Sequence, residues 1–89
     1  MTEIQMDNKL RLELLGKHIS WCTPADDNLT GMVQNITIWK GNVIFQVKLS
    51  GTMQRFEYDI PYFLDNTILL NGDTSRRDER NLRWLFKGN

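Results

Sequence analysis

The chain has 89 residues, 40% of them hydrophobic, with eleven basic and eleven acidic side chains and therefore no net charge. That is enough apolar material for a single core and a single domain over 1–89, and too little charge bias for a chain that holds nucleic acid by overall attraction. Three Trp, four Phe and two Tyr also exclude a disordered chain, which would be poorer in aromatic residues.

In chain order, residues 1–16 predict a short N-terminal helix. Leu10, Leu14 and Leu15 fall at helical spacing, with Asp7 as N-cap and Gly16 as the stop. Leu10, Leu12 and Leu14 also alternate as in a strand, but residues 7–15 contain no β-branched side chain, and this favours the helix. From Lys17 the period changes: Ile19 and Trp21 alternate with His18, Ser20 and Cys22, predicting a first strand. The polar run Thr23–Asn28, with Pro24 and its Asp and Asn residues, is a loop.

A meander follows over Gly31–Trp39, Asn42–Leu49 and Thr52–Ile60, joined by turns at Gly41 and Gly51. Its first strand is expected to set Met32, Gln34, Ile36 and Ile38 against Val33, Asn35, Thr37 and Trp39. The middle strand groups Val43, Phe45, Val47 and Leu49; the last groups Phe56, Tyr58 and Ile60 against Arg55, Glu57 and Asp59. Pro61 ends that strand, Tyr62–Leu64 make a 3₁₀-like turn, and Thr67–Leu70 add a short strand, completing a β core over 17–70. In the last segment, 71–89, Ser75 and Asp78 suggest a capping box that opens a helix over Arg76–Phe86. An edge strand over Asn81–Phe86 is the alternative.

The order Leu14-Leu15-Gly16-Lys17-His18-Ile19-Ser20-Trp21, polar loop, Leu29-Thr30-Gly31-Met32-Val33, Gly41-Asn42-Val43-Ile44-Phe45 and Gly51 resembles SH3-like small β-barrels of the Tudor, KOW and Sm-like kind. The likeness is one of strand rhythm and covers residues 14–70. It implies a mainly β fold, a five-stranded antiparallel barrel flanked by an N-terminal and a C-terminal helix. It also implies a tendency to bind peptides, nucleic acid or larger assemblies rather than to catalyse.

The residues themselves carry little chemistry. His18 and Cys22 would stand about 13 Å apart on one strand at ~3.3 Å per residue, too far for a nucleophile and its base. One Cys and one His do not make a zinc site, so neither metal nor cofactor is expected. Asp26 and Asp27 read as solvated turn formers, and Glu57 and Asp59 as charges that keep a strand face soluble or guard it against edge pairing. The single cysteine and a start without a charged or apolar leader point to a cytoplasmic protein, and no run of ~18 apolar residues suggests a membrane span.

The C-terminal segment is the stronger candidate for a site. Residues 1–70 carry six basic and eight acidic groups, whereas 71–89 carry five and three. On a helix, Arg76, Arg80 and Arg83 would form a basic stripe, with Arg77 and Trp84 beside it. Arg and Trp are enriched at binding hot spots and also suit phosphate contact and base stacking. Trp39, at a hairpin turn, either closes a second small core or presents an exposed patch. The expected function is therefore a non-enzymatic accessory or inhibitory subunit that binds another protein through Trp39, Arg76, Arg77, Arg80, Arg83 and Trp84. Direct nucleic-acid binding by the arginine-rich segment is the alternative. So small a core also suits a homodimer joined through an unpaired barrel edge.

Overall fold

The computed structural model describes residues 2–70 and 77–86, with side chains placed at 2–70 and 81–86. The element order is α1 (Glu3–Leu14), β1 (His18–Cys22), β2 (Asn28–Trp39), β3 (Asn42–Leu49), β4 (Thr52–Asp59), α2 (Ile60–Asn66), β5 (Thr67–Leu70) and β6 (Arg77–Asn81), then a 3₁₀ turn, Leu82–Phe86. The strands form one antiparallel sheet in the order β4-β3-β2-β1-β5-β6. The fold is mainly β, as expected. The sheet has six strands rather than five and is open, with β4 and β6 at its edges.

The open sheet is nonetheless strongly curved. At ~4.8 Å per strand, β1 and β4 would lie roughly 14 Å apart in a flat sheet. Yet the rings of Trp21 on β1 and Phe56 on β4 meet at 5.1 Å across the concave side. Phe45 stands between them, 5.2 Å from Trp21, 5.7 Å from Phe56 and 5.1 Å from Phe63 of α2. Around this aromatic cluster pack Leu10 and Leu14 of α1, Ile19, Val33, Ile36, Val43 and Val47 of the sheet, and Leu82 and Leu85 of the 3₁₀ turn.

The bend is built into β2, which pairs with β1 through residues 28–32 and with β3 through 32–39. Gly31 sits where these pairings meet. A Cβ there would stand 3.1 Å from Leu49 and 3.2 Å from both the Lys48 carbonyl and Val47, so only a glycine permits the approach. Two residues on, a β-bulge between Val33 and Asn35 leaves Gln34 without a partner and reverses the alternation. Val33 therefore shares the buried face with Ile36 and Ile38, while Gln34 is exposed. The strict alternation predicted for this strand fails for that reason.

Three other boundaries differ from expectation. The helix starts at Glu3 because Thr2 and Gln5 form a reciprocal capping box, which leaves Asp7 inside the helix rather than at its cap. Pro61 lies in the first turn of α2, where its missing N–H costs nothing, so a full helix forms where a 3₁₀ turn was expected. The predicted helix over Arg76–Phe86 is absent. Residues 77–81 pair with β5 as a strand, and the chain then turns in 3₁₀ form so that Leu82 and Leu85 are buried. Arg80, on a strand, and Arg83, in the 3₁₀ turn, therefore do not share the expected helical stripe, and Arg76 lies outside the described residues.

Candidate functional site

The most exposed large aromatic residue among those described is Trp39, at the end of β2, with 62% of its surface accessible. Its position is nevertheless tightly fixed. Lys40 and Gly41 form a two-residue turn with φ of 51° and 81°, the mirror-image geometry whose twist matches that of paired strands. The Gly41 N–H donates to the Glu3 carboxylate at 3.0 Å, and the Gly41 carbonyl accepts from Ile60 N–H at 3.0 Å. The turn is thus tied to α1 on one side and to the start of α2 on the other. Lys40 places its ammonium 5.5 Å from the centre of the Trp39 ring, within cation–π range.

The bond to Glu3 belongs to a longer device. Beyond residue 33, β2 continues past the end of β1, and its backbone would face water on that side. Instead α1 runs antiparallel alongside it. Arg11 donates through Nε to the Ile36 carbonyl at 3.1 Å, Asp7 accepts from Ile38 N–H at 2.7 Å, and Glu3 accepts from Gly41 N–H. These three side chains are four residues apart, about 6 Å of helix, which nearly matches the ~6.8 Å between Ile36 and Ile38; the third partner, Gly41, lies three residues further on, in the turn. The Ile36 N–H is taken by Asn35 Oδ1 at 2.9 Å, and Val33 exchanges bonds with Gly16 and Lys17. Side chains of α1 therefore stand in for the missing strand.

Beside the face that seals this edge, one flank of α1 carries exposed apolar side chains. Ile4, Leu12 and Leu15, exposed by 73%, 77% and 47%, fall within about 80° on the helix surface. Ile4 follows Glu3, which places this apolar stripe next to the Trp39 corner. Val33 and Tyr58 lie on the buried side of the sheet, away from Trp39, whereas Ile44 shares its outer face.

Of the C-terminal candidates, Arg76 lies outside the described residues. Arg77 and Arg80 lie on β6, Arg77 in register with Leu70. Arg83 is committed to Asp65 of α2 by two bonds, Nε to Oδ1 and Nη2 to Oδ2, the latter 3.1 Å long. This holds the Asp65 carboxyl below the usual carboxylate range and raises the guanidinium. Trp84 is half-buried against the core. Of the residues singled out from the sequence, Trp39 is exposed, whereas the contacts of Glu3, Asp7 and Arg11 with β2 were not anticipated. Their spacing of four was visible, though its strand partner was not.

At the other end of β2, a shallow cavity of about 270 Å³ is lined by Ser20, Cys22, Asn28, Asp65, Asn66 and Ile68, together with Trp21. It falls just short of the ~300 Å³ at which small-molecule sites begin. The half-buried Cys22 thiol contacts Asp26 Oδ1 and the Thr23 carbonyl, each at 3.6 Å. Desolvation, then the hydrogen bond and charge of Asp26, push its pKa up, so the thiol stays protonated near neutrality. Among the described residues no three His, Cys, Asp or Glu side chains gather as a metal site, and no helix is long and apolar enough to cross a membrane.

No protein-family model, curated protein or solved structure matches this chain. Its function is to be argued from its own geometry.

Proposed function

We propose that the protein is a non-enzymatic interaction module, an accessory or inhibitory subunit that docks on a larger protein through the Trp39 corner. One observation carries this reading: a tryptophan 62% exposed on a backbone held by a tight turn and by bonds to two helices. A large apolar ring kept in water is an anchor awaiting a pocket, and Trp leads the residue types found at hot spots. A rigid turn also loses little freedom on binding, which leaves more of the contact energy as affinity. The neighbouring Ile4, Leu12 and Leu15 would widen the apolar contact, and Lys40 favours an acidic rim on the partner.

Engagement of Arg83 by Asp65 argues against the nucleic-acid alternative, because it occupies one of the guanidinium groups that alternative needs. A protonated Cys22 gives no support to a nucleophilic enzyme. The test is affinity capture from the cells that make the protein, with and without nuclease, using wild type and Trp39→Ala. The retained partner should survive nuclease and respond only mildly to salt. Its affinity for the variant should fall by roughly thirtyfold or more, as expected at a hot spot. Undiminished binding by a folded Trp39→Ala, or capture abolished by nuclease, would refute the proposal.

A further inference from the structure

We infer that two copies of this chain pair edge to edge through β4, antiparallel, with Phe56 facing its own counterpart across the two-fold axis. The inference concerns a surface two strands away from Trp39 and does not depend on the role given to that residue.

The phase of the backbone comes first. Ser50 and Gly51, with φ of 50° and 80°, make a two-residue turn closed by Leu49 and Thr52. A closing pair of this kind exchanges hydrogen bonds, so the even residues 52, 54, 56 and 58 bond to β3. The 3.0 Å bond from Ile60 N–H to Gly41 O continues the same parity past the end of the strand. The N–H and C=O groups of Met53, Arg55, Glu57 and Asp59 therefore point outward. Among the described residues no strand pairs with that edge.

Only its charged side chains, Arg55, Glu57 and Asp59, could blunt β4 against pairing. Eight residues run in unbroken register with β3, with no bulge, and no proline appears before Pro61. Natural sheets usually blunt an edge this long and regular unless it is used. The charges then select the partner. Residues directly opposite in an antiparallel pair share a face and a bonding class, so a symmetric pairing must centre on a residue. Centred on Arg55 or on Glu57, it sets like charges against each other. Centred on Phe56, it sets Arg55 opposite Glu57 of the second copy and Glu57 opposite Arg55, both at positions whose backbone groups are free.

The remaining neighbours agree with this register. Phe56 is half-buried and falls at a non-bonded position, where Cα atoms approach to about 4.5 Å and aromatic rings pair well. Within one chain Arg55 reaches Glu57 Oε1 only at 3.5 Å, with the two side chains 57% and 40% exposed, while Glu57 Oε2 accepts from Asn42 Nδ2 at 2.8 Å. A better partner directly opposite would replace that loose contact. The sequence is thus complementary to itself read backwards, a property that pairing with an unrelated strand would not require.

Sedimentation equilibrium of the full chain, from micromolar to millimolar concentration, tests the inference. Wild type should show a reversible monomer–dimer equilibrium. Arg55→Glu and Glu57→Arg, which place like charges opposite, should each weaken it roughly tenfold or more. The double swap restores opposite signs and should return the dissociation constant close to wild type. Thermal melts of the dilute variants show whether the fold is intact, and Trp39→Ala should dimerise normally. A monomer at every concentration, single swaps without effect, or a double swap that fails to rescue would each overturn the pairing.

Discussion

Replacing Asp7 with alanine removes the middle rung of the contact between α1 and β2. The carboxylate accepts the Ile38 N–H at 2.7 Å and pairs with Arg11 at 2.9 Å, with its own side chain only 16% exposed. Ile38 is 8% exposed, so its amide would be left largely without water or partner. A hydrogen bond to a charged group is worth about 1.5–3 kcal/mol, and the partly exposed ion pair adds about 0.3–0.5 kcal/mol. Alanine returns roughly 0.6 kcal/mol through its higher helix propensity. The net loss should be about 2 kcal/mol, a fall in Tm on the order of 8–16 °C for a domain of this size. Asp7→Asn keeps an acceptor oxygen and should lose less than half as much. Thermal melts and urea titrations at low protein concentration measure both variants. A shift below about 2 °C for Asp7→Ala would mean that the helix does not seal the strand.

Other outcomes follow from single contacts. Gly31→Ala meets Leu49 Cδ2 at 3.1 Å and the Lys48 carbonyl and Val47 Cβ at 3.2 Å, and should destabilise by about 1–3 kcal/mol through crowding. Gly41→Val, with nothing within 4 Å but φ at 81°, should cost more than about 1 kcal/mol through backbone strain alone; urea midpoints test both. The Thr67 hydroxyl is buried without a hydrogen-bond partner, so Thr67→Val should be neutral or stabilising by up to about 2 kcal/mol; a clear loss in urea midpoint would contradict this. Arg83 lowers the pKa of Asp65 in the folded state. The stabilisation from that pair is therefore full above the unfolded carboxyl value of about 4 and fades as pH falls through the depressed folded value. The Tm gap between wild type and Arg83→Gln should be largest near neutrality and close in strong acid; a gap independent of pH would refute the pairing.

Much of the sheet was legible because its signals are local. Alternation in Asn42–Leu49 and Thr52–Asp59, and glycine at the positive-φ turns, fixed β3, β4 and their register without tertiary knowledge. What escaped depends on partners distant in sequence. The bulge at Gln34 is imposed where β2 leaves β1 for β3, and no residue type announces it. The C-terminal segment has helical spacing, yet pairing with β5 and burial of Leu82 and Leu85 outweigh that weak preference. The alternation that sets Trp39 against Ile36 and Ile38 holds beyond the bulge, but its 62% exposure depends on what packs over that face, which local pattern does not determine. The seal formed by Glu3, Asp7 and Arg11 was invisible because surface charges at a spacing of four ordinarily pair along their own helix.

Amide hydrogen exchange, read residue by residue at two protein concentrations, tests the picture of one closed and one open sheet edge most directly. Ile38 and Gly41, bonded to side chains of α1, should exchange slowly at both concentrations. Arg55 and Glu57 should exchange rapidly when dilute and slowly when concentrated. Rapid exchange at Ile38 and Gly41, or slow exchange at Arg55 and Glu57 at every dilution, would contradict it.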